Sequence, residues 1–232
     1  MAIAVAYEGQ TFNRWTQYCF ARVLAEKHGF ELATQWTHPE FIGVAPPKPG
    51  KAYREVAALV SGFYQHAAWI HENEKLIRGF AKPMDVESVS PNDVAIHVRR
   101  GDYQKWRLIP AQWYLDILGT LKFEHLFVVG DGLEKEFLDK IFSRHKTAQL
   151  MNGSAVSDWN FLRRFNKLVL SNSSYSFWAA FFSRASEVYV HDPWFSAIGS
   201  RGEKGDEHVT LHEYPGWIKK PGLFEEARHE GI

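Results

Sequence analysis

The ten residues VAIHVRRGDY, Val94 to Tyr103, change character halfway along. Val94–Val98 is a short apolar run of strand type. It ends in Arg99-Arg100-Gly101-Asp102. Two adjacent arginines at a strand end are costly to bury unless they meet anions. The planar guanidinium fork suits phosphate oxygens, and Gly101 lets the backbone turn tightly. A structural ion pair between one arginine and Asp102 is the competing reading of the same residues.

Working downstream, strands and helices alternate. Pro110 opens a helix whose apolar side carries Trp113, Tyr114, Ile117, Leu118 and Leu121. Leu126–Val129 reads as a strand ending in Gly130-Asp131-Gly132, and Leu133–Phe142 as a helix. Ala148–Met151 reads as a short strand, then Asp158–Phe165 as a helix with Asp158 near its N-cap. Leu168–Leu170 is a strand, followed by Ser171-Asn172-Ser173-Ser174 and a helix through Phe182. Val188–Val190 is the last clear strand, and the stretch from Ser200 reads as a surface wrap. Repeated strand–helix alternation indicates a parallel sheet flanked by helices.

Working upstream, Lys82–Asp93 holds Pro83 and Pro91 and reads as a linker. It divides the chain into a small α/β domain, 1–90, and a larger Rossmann-like domain, 91–232. In the first, Ala2–Ala6 is a strand. Phe12, Trp15, Cys19, Phe20, Val23 and Leu24 recur at helical spacing up to Gly29. Phe30–Trp36 reads as a second strand, and the proline-rich His38–Gly50 as a loop. The pattern over Lys51–Phe80 predicts two helices broken near Gly62.

Composition excludes several classes. The 232 residues carry 27 Lys+Arg and 27 Asp+Glu, so there is no broad basic field for nucleic acid. With 45% hydrophobic residues, the chain can bury a core without staples. The single cysteine, Cys19, rules out a disulfide framework or a Cys-based zinc site. No apolar run reaches the 18 or so residues of a membrane span, and the first residues show no signal peptide. The expectation is a soluble cytoplasmic protein, with at most peripheral membrane contact. An aromatic content of 15% hints at flat ligand surfaces, with heavy core packing as the blander account.

In open α/β sheets, ligands bind beyond the carboxyl ends of strands. Four polar clusters fall there: Gly9–Arg14, His97–Asp102, Gly130–Gly132 and Ser171–Ser176. The last holds Asn172, Ser173, Ser174, Tyr175 and Ser176. Hydroxyls and N–H groups at a helix start form an anion site, and simple N-capping explains them too. An anion shared by Arg99 and this helix start is best matched by a pyrophosphate. Asp158 suits a guanine N1–H and N2–H pair as well as it suits an N-cap. There is no G-x-G-x-x-G, P-loop, D-x-D or H-E-x-x-H, and the histidines form no convincing metal-ligand set. Arginine rather than a metal must then neutralise a bound phosphate. The tripeptide Arg100-Gly101-Asp102 also spells an adhesion motif, which needs exposure that a strand end argues against.

Together these motifs resemble the α-1,2-fucosyltransferases, glycosyltransferase family 11. HVRRGDY at His97–Tyr103 is similar to the family's H-x-R-R-G-D-Y signature. LSNSSYSFWAA at Leu170–Ala180 resembles its N-S-S-F-S-W-W-A segment. Asp158 precedes that segment at about the family distance, and His191–Phe195 resembles its Pro–Trp–Phe segment. SGFYQ at Ser61–Gln65, Ile77–Phe80 and Gly9–Ala21 match further patterns in order, so the likeness spans about residues 7–195. It implies a GT-B-like fold of two Rossmann-type α/β halves with parallel sheets, the N-terminal half reduced and on the acceptor side. It implies inverting transfer of fucose from GDP-fucose to a galactoside or other oligosaccharide acceptor, with no cofactor and no required metal.

Residue by residue, the resemblance makes Arg99 the ligand of the donor β-phosphate, beside Arg100. His97 and Asp158 would hold guanine or its ribose. Asn172 to Ser176 would complete the pyrophosphate site, and Asn13 would sit near phosphate or acceptor. Asp102 is the candidate base, or else the lock of the arginine pair. The family's Asn-Gln is Asn13-Arg14 here, and its Asp-Asp after the middle strand is Gly130-Asp131-Gly132. Those departures leave acceptor and linkage open: an α-1,6 type of transfer and a non-catalytic GDP-sugar or glycan-binding module are the alternatives.

Overall fold

The computed structural model describes residues 2–34, 42–43, 56–83, 85–103, 108–194 and 209–225. The chain divides into two compact units, Met1–Asp85 and Val86–Ile232. Each is an α/β unit built on a parallel sheet, as the resemblance implies.

The first unit runs β1 (Ala2–Val5), α1 (Thr11–His28), β2 (Glu31–Ala33), β3 (Val56–Val60), α2 (Ala67–Glu72) and α3 (Glu74–Phe80). Its sheet has the order β2-β1-β3. The apolar stripe of α1 buries Phe12, Trp15, Cys19 and Val23. Gly29 ends it in the left-handed region, with its N–H on the Ala25 carbonyl. The helix expected across Lys51–Phe80 is corrected in part. Val56–Val60 is a strand that pairs in parallel with β1. Five apolar residues carry no decisive period, and an open edge of β1 settled the choice. The two helices that follow break at Asn73, not near Gly62. Trp36 and nearly all of the 38–50 loop lie outside the described residues.

The second unit runs β4 (Val94–Arg99), α4 (Ala111–Leu118), β5 (Leu126–Asp131), α5 (Lys135–Arg144), β6 (Gln149–Met151), α6 (Ala155–Leu162), β7 (Lys167–Leu170), α7 (Ser174–Phe181), β8 (Glu187–Asp192) and β9 (Ile218–Pro221). The six-stranded order is β6-β5-β4-β7-β8-β9, with every pairing parallel. Val94 to Val98 are all buried, as expected of a central strand covered on both faces. Trp159, Trp178, Trp194, Phe165, Phe177 and Phe181 are almost wholly buried. In this unit much of the aromatic content is therefore core.

Three expectations change here. Pro110 is the N-cap of α4, whose first helical residue is Ala111. Ser154, not Asp158, caps α6, its hydroxyl accepting from the Ser157 N–H. The stretch after Ser200 is more than a surface wrap: it supplies β9 and buries Leu211. Among the described residues no helix is long and apolar enough to cross a membrane.

Candidate anion-binding site

The chain leaves β4 toward β5 and β6 on one side, then returns to β7, β8 and β9 on the other. The switch point therefore lies between the carboxyl ends of β4 and β7, where open α/β sheets bind ligands. The end of β4 carries Arg99, and the end of β7 carries Ser171.

Side chains alternate along a strand, so His97 and Arg99 share one face while Arg100 takes the other. On the first face, His97 is buried, with Nδ1 2.7 Å from Ser171 Oγ. Its ring stacks on Tyr175 at 5.2 Å. Burial, helped by the Arg99 charge, pushes the His97 pKa down to about 3. The imidazole is thus neutral at pH 7, a packed wall beside the arginine and not a second cation.

Arg99 is four-fifths buried. Its Nε and Nη2 donate to Asp102 Oδ1 at 2.9 and 2.8 Å, and Nη1 lies 3.2 Å from Asp131 Oδ2. Burial opposes its charge, but Asp102 and Asp131 outweigh burial and raise its pKa. The guanidinium is held in place and stays charged. The backbone behind it is tight. A Cβ on Gly130 would stand 2.2 Å from the Val98 carbonyl oxygen, and one on Gly132 2.2 Å from Gly101 Cα. Glycines at these points let the β4 and β5 turns touch backbone to backbone, which brings Asp131 to Arg99.

Arg100, expected beside Arg99 at the anion, is held between carboxylates. Its Nε donates to Glu134, and its Nη1 and Nη2 meet Glu225 Oε1 and Oε2 at 2.9 and 3.0 Å. Its guanidinium lies over Phe137 at 5.0 Å. Two carboxylates satisfy the fork on the face away from His97. The Arg100-Gly101-Asp102 tripeptide is thus built into the sheet end, although Gly101 and Asp102 are themselves exposed.

The serine cluster separates in the same way. Ser173 is the N-cap of α7, and its hydroxyl makes no capping bond. Ser174 and Tyr175 begin the helix, where the first N–H groups lie outside the helix's own ladder and carry the positive end of its dipole. Ser176 instead points inward, its hydroxyl donating to the Ser171 and Ser173 carbonyls. Asn172 is buried, and its carbonyl accepts from the Tyr103 hydroxyl at 2.7 Å. Asp158 lies in the first turn of α6 and accepts the Gly153 N–H at 3.2 Å. Its charge also reaches Tyr175, whose pKa rises through burial first and Asp158 second. His97, Arg99, Asp158, Tyr175 and the α7 start thus form one neighbourhood.

Asn13 belongs to the first unit. Its Oδ1 accepts from Gln65 Nε2 at 2.8 Å. Gln17 clamps the preceding turn, accepting the Glu8 N–H at 3.0 Å and donating to the Glu8 carbonyl at 3.2 Å. Gly9 is favoured there by its φ of 72°, a left-handed conformation that side chains rarely adopt. These residues line the carboxyl ends of β1 and β3, the switch point of that smaller sheet. Among the described residues, Asp93, Glu124 and His125 lie close enough to share a metal ion. They sit at the amino ends of β4 and β5, the opposite end of the sheet from Arg99. Glu134 and Glu225, which support the site, carry no role in the sequence reading, whereas Tyr103 lies in the His97–Tyr103 signature. Asp131 had a local signal, a strand ending in Gly-Asp-Gly; Glu225 had none.

Residues 61–214 match the model of glycosyl transferase family 11. The chain belongs to that family. It is 28% identical over 160 residues to an alpha-1,2-colitosyltransferase of Escherichia coli, covering 58% of this chain and 55% of that one. Over 162 residues it is 28% identical to galactoside 2-alpha-L-fucosyltransferase SEC1 of Bos taurus, covering 62% and 42%. The chain thus spans about half the length of the curated relatives it matches. Among solved structures it resembles NodZ alpha-1,6-fucosyltransferase soaked with GDP-fucose, at 12% identity and a TM-score of 0.44, covering 78% and 92%.

Proposed function

We propose that this protein transfers L-fucose from GDP-fucose to a galactoside or another sugar hydroxyl, with inversion and without a metal. The observation that carries the reading is Arg99, a charged fork fixed at the β4/β7 switch point between neutral His97 and the start of α7. In a single displacement the acceptor oxygen attacks the anomeric carbon. The bond from that carbon to the β-phosphate oxygen breaks, and the acceptor proton passes to a base. Negative charge grows on the departing phosphate, where a preorganised cation is worth most. Arg99 and the α7 N–H groups supply that stabilisation. Asp102, gripped by Arg99, fits orientation of the fork better than proton removal. Asp158 and Tyr175 would meet the guanosine end of the donor. Family membership and the name of the bovine relative support fucose as the sugar.

The name of the Escherichia coli relative favours a second reading, with colitose, a fucose lacking the 3-hydroxyl, as the transferred sugar. A screen of GDP-fucose and GDP-colitose against a mixed glycan panel, read by mass spectrometry in EDTA, tests both. Transfer of one sugar and not the other selects the reading. GDP binding with no transfer or hydrolysis across the panel would instead favour a non-catalytic GDP-sugar-binding module. Loss of transfer in EDTA, restored by a divalent ion, would overturn the metal-free step.

A further inference from the structure

The segment beyond residue 214, the last of the family match, reaches back to the signature turn. β9 adds to the edge of the sheet beside β8. Gly222 then donates to the Asp192 carbonyl at 3.2 Å and passes so close to His191 and Trp113 that a Cβ would come within 2.6 Å of both. The Phe224 ring lies 4.6 Å from that of His191. The Glu225 N–H donates to the Leu108 carbonyl at 2.8 Å, and its carboxylate grips both Nη atoms of Arg100. Arg100, in turn, shapes the turn that holds Arg99. Its backbone N–H and that of Gly101 both donate to the Asp131 carbonyl, at 3.0 and 3.1 Å. Asp131 is the residue whose carboxylate meets Arg99.

We propose that Glu225 is a positioning residue of the anion site, setting Arg99 through Arg100 and the Asp131 turn. A bidentate pair is needed for this because it fixes the orientation of the guanidinium as well as its place. Without Glu225, Glu134 holds one edge of the fork and the other keeps only the long 3.4 Å bond from Nη1 to the Ile109 carbonyl. The inference rests on the reading of Arg99 as the donor-phosphate ligand.

The test is GDP binding by calorimetry to the full chain, with no acceptor needed. Glu225→Gln keeps the shape and loses the charge; GDP should bind about tenfold more weakly. Glu225→Asp, which keeps the charge, should stay within about threefold of the parent. On an Arg99→Ala background, Glu225→Gln should cost no further affinity, because the effect passes through Arg99. A merely structural glutamate would leave the affinity of the folded protein unchanged. If Glu225→Gln fails to fold, Arg100→Lys keeps the charge, loses the fork, and should show the same tenfold loss. Parent-like GDP binding by Glu225→Gln or Arg100→Lys, or an equal loss from Glu225→Gln with and without Arg99, overturns the proposal alone. If the parent itself binds no GDP, the functional reading fails, and this inference fails with it.

Discussion

The two sheets follow one rule and use it differently. Each has a switch point where neighbouring parallel strands leave in opposite directions, β1/β3 in the first unit and β4/β7 in the second. At β1/β3 amides fix the turn, and a cation there, Arg14, is exposed and donates to the Gly9 carbonyl at 2.9 Å. Gln17 ties down the Glu8 backbone, and Gln65 holds Asn13. At β4/β7 a charged arginine is set between two carboxylates beside a helix start. Neutral amides can orient hydroxyls but do little to stabilise a developing negative charge. A buried guanidinium can do so, in surroundings that strengthen the interaction. On the proposed reading, the charge on the leaving phosphate is met by the larger unit.

That contrast can be broken most forcefully at Arg99. Replacing Arg99 by Ala should lower turnover by about 10²-fold or more, since a fixed donor aimed at the leaving group is lost. Turnover within a few-fold of the parent would falsify the division of roles. The backbone comes next. Gly130→Ala forces a methyl into the Val98 carbonyl and should cost about 3 kcal/mol. Gly29→Ala in the first unit has open space around it and only the strain of φ 68°, so about 1 kcal/mol is expected. Urea midpoints at constant slope compare the two.

The third effect is pH. His97 is neutral when folded, with a pKa near 3, while an unfolded histidine titrates near 6.5. Between those values the unfolded chain binds more protons. Stability is therefore intact above about 6.5 and falls as pH drops through the window toward 3. The loss should reach up to about 2 kcal/mol between pH 7 and 5. His191 and His212, also lowered mainly by burial, act in the same direction. His97→Asn should flatten the profile measured by denaturant unfolding; an unchanged slope would count against a neutral His97. The smallest effect belongs to the first unit. Gln65→Ala removes one bond to Asn13, costs about 1 kcal/mol, and should leave GDP affinity untouched while raising the acceptor KM. A matching loss of GDP affinity would erase the distinction between the two switch points.

Much of this was legible in the sequence. The α/β alternation after Val94 and the signature His97–Tyr103 stood out because strand ends and turn residues are local. Period-two alternation even contained the separation of Arg99 from Arg100, though which face received the anion was not readable. The helix expected at Val56–Val60 failed because five apolar residues fit either period. Ser176 looked like its neighbours in composition, but its place in the helix turned it toward the Ser171 and Ser173 carbonyls.

The sequence by itself determined the family, the order of elements from Val94 to Val190 and the arginine at the end of the central strand. Those depend on composition and spacing within a few residues. The pair of Arg99 with Asp102 is local and was readable; tertiary structure decided the other partners of the two arginines. The carboxylates that divide the pair, Asp131, Glu134 and Glu225, lie up to 125 residues away. A charge finds a partner across that distance only when parallel pairing of β8 and β9 carries the chain back to it.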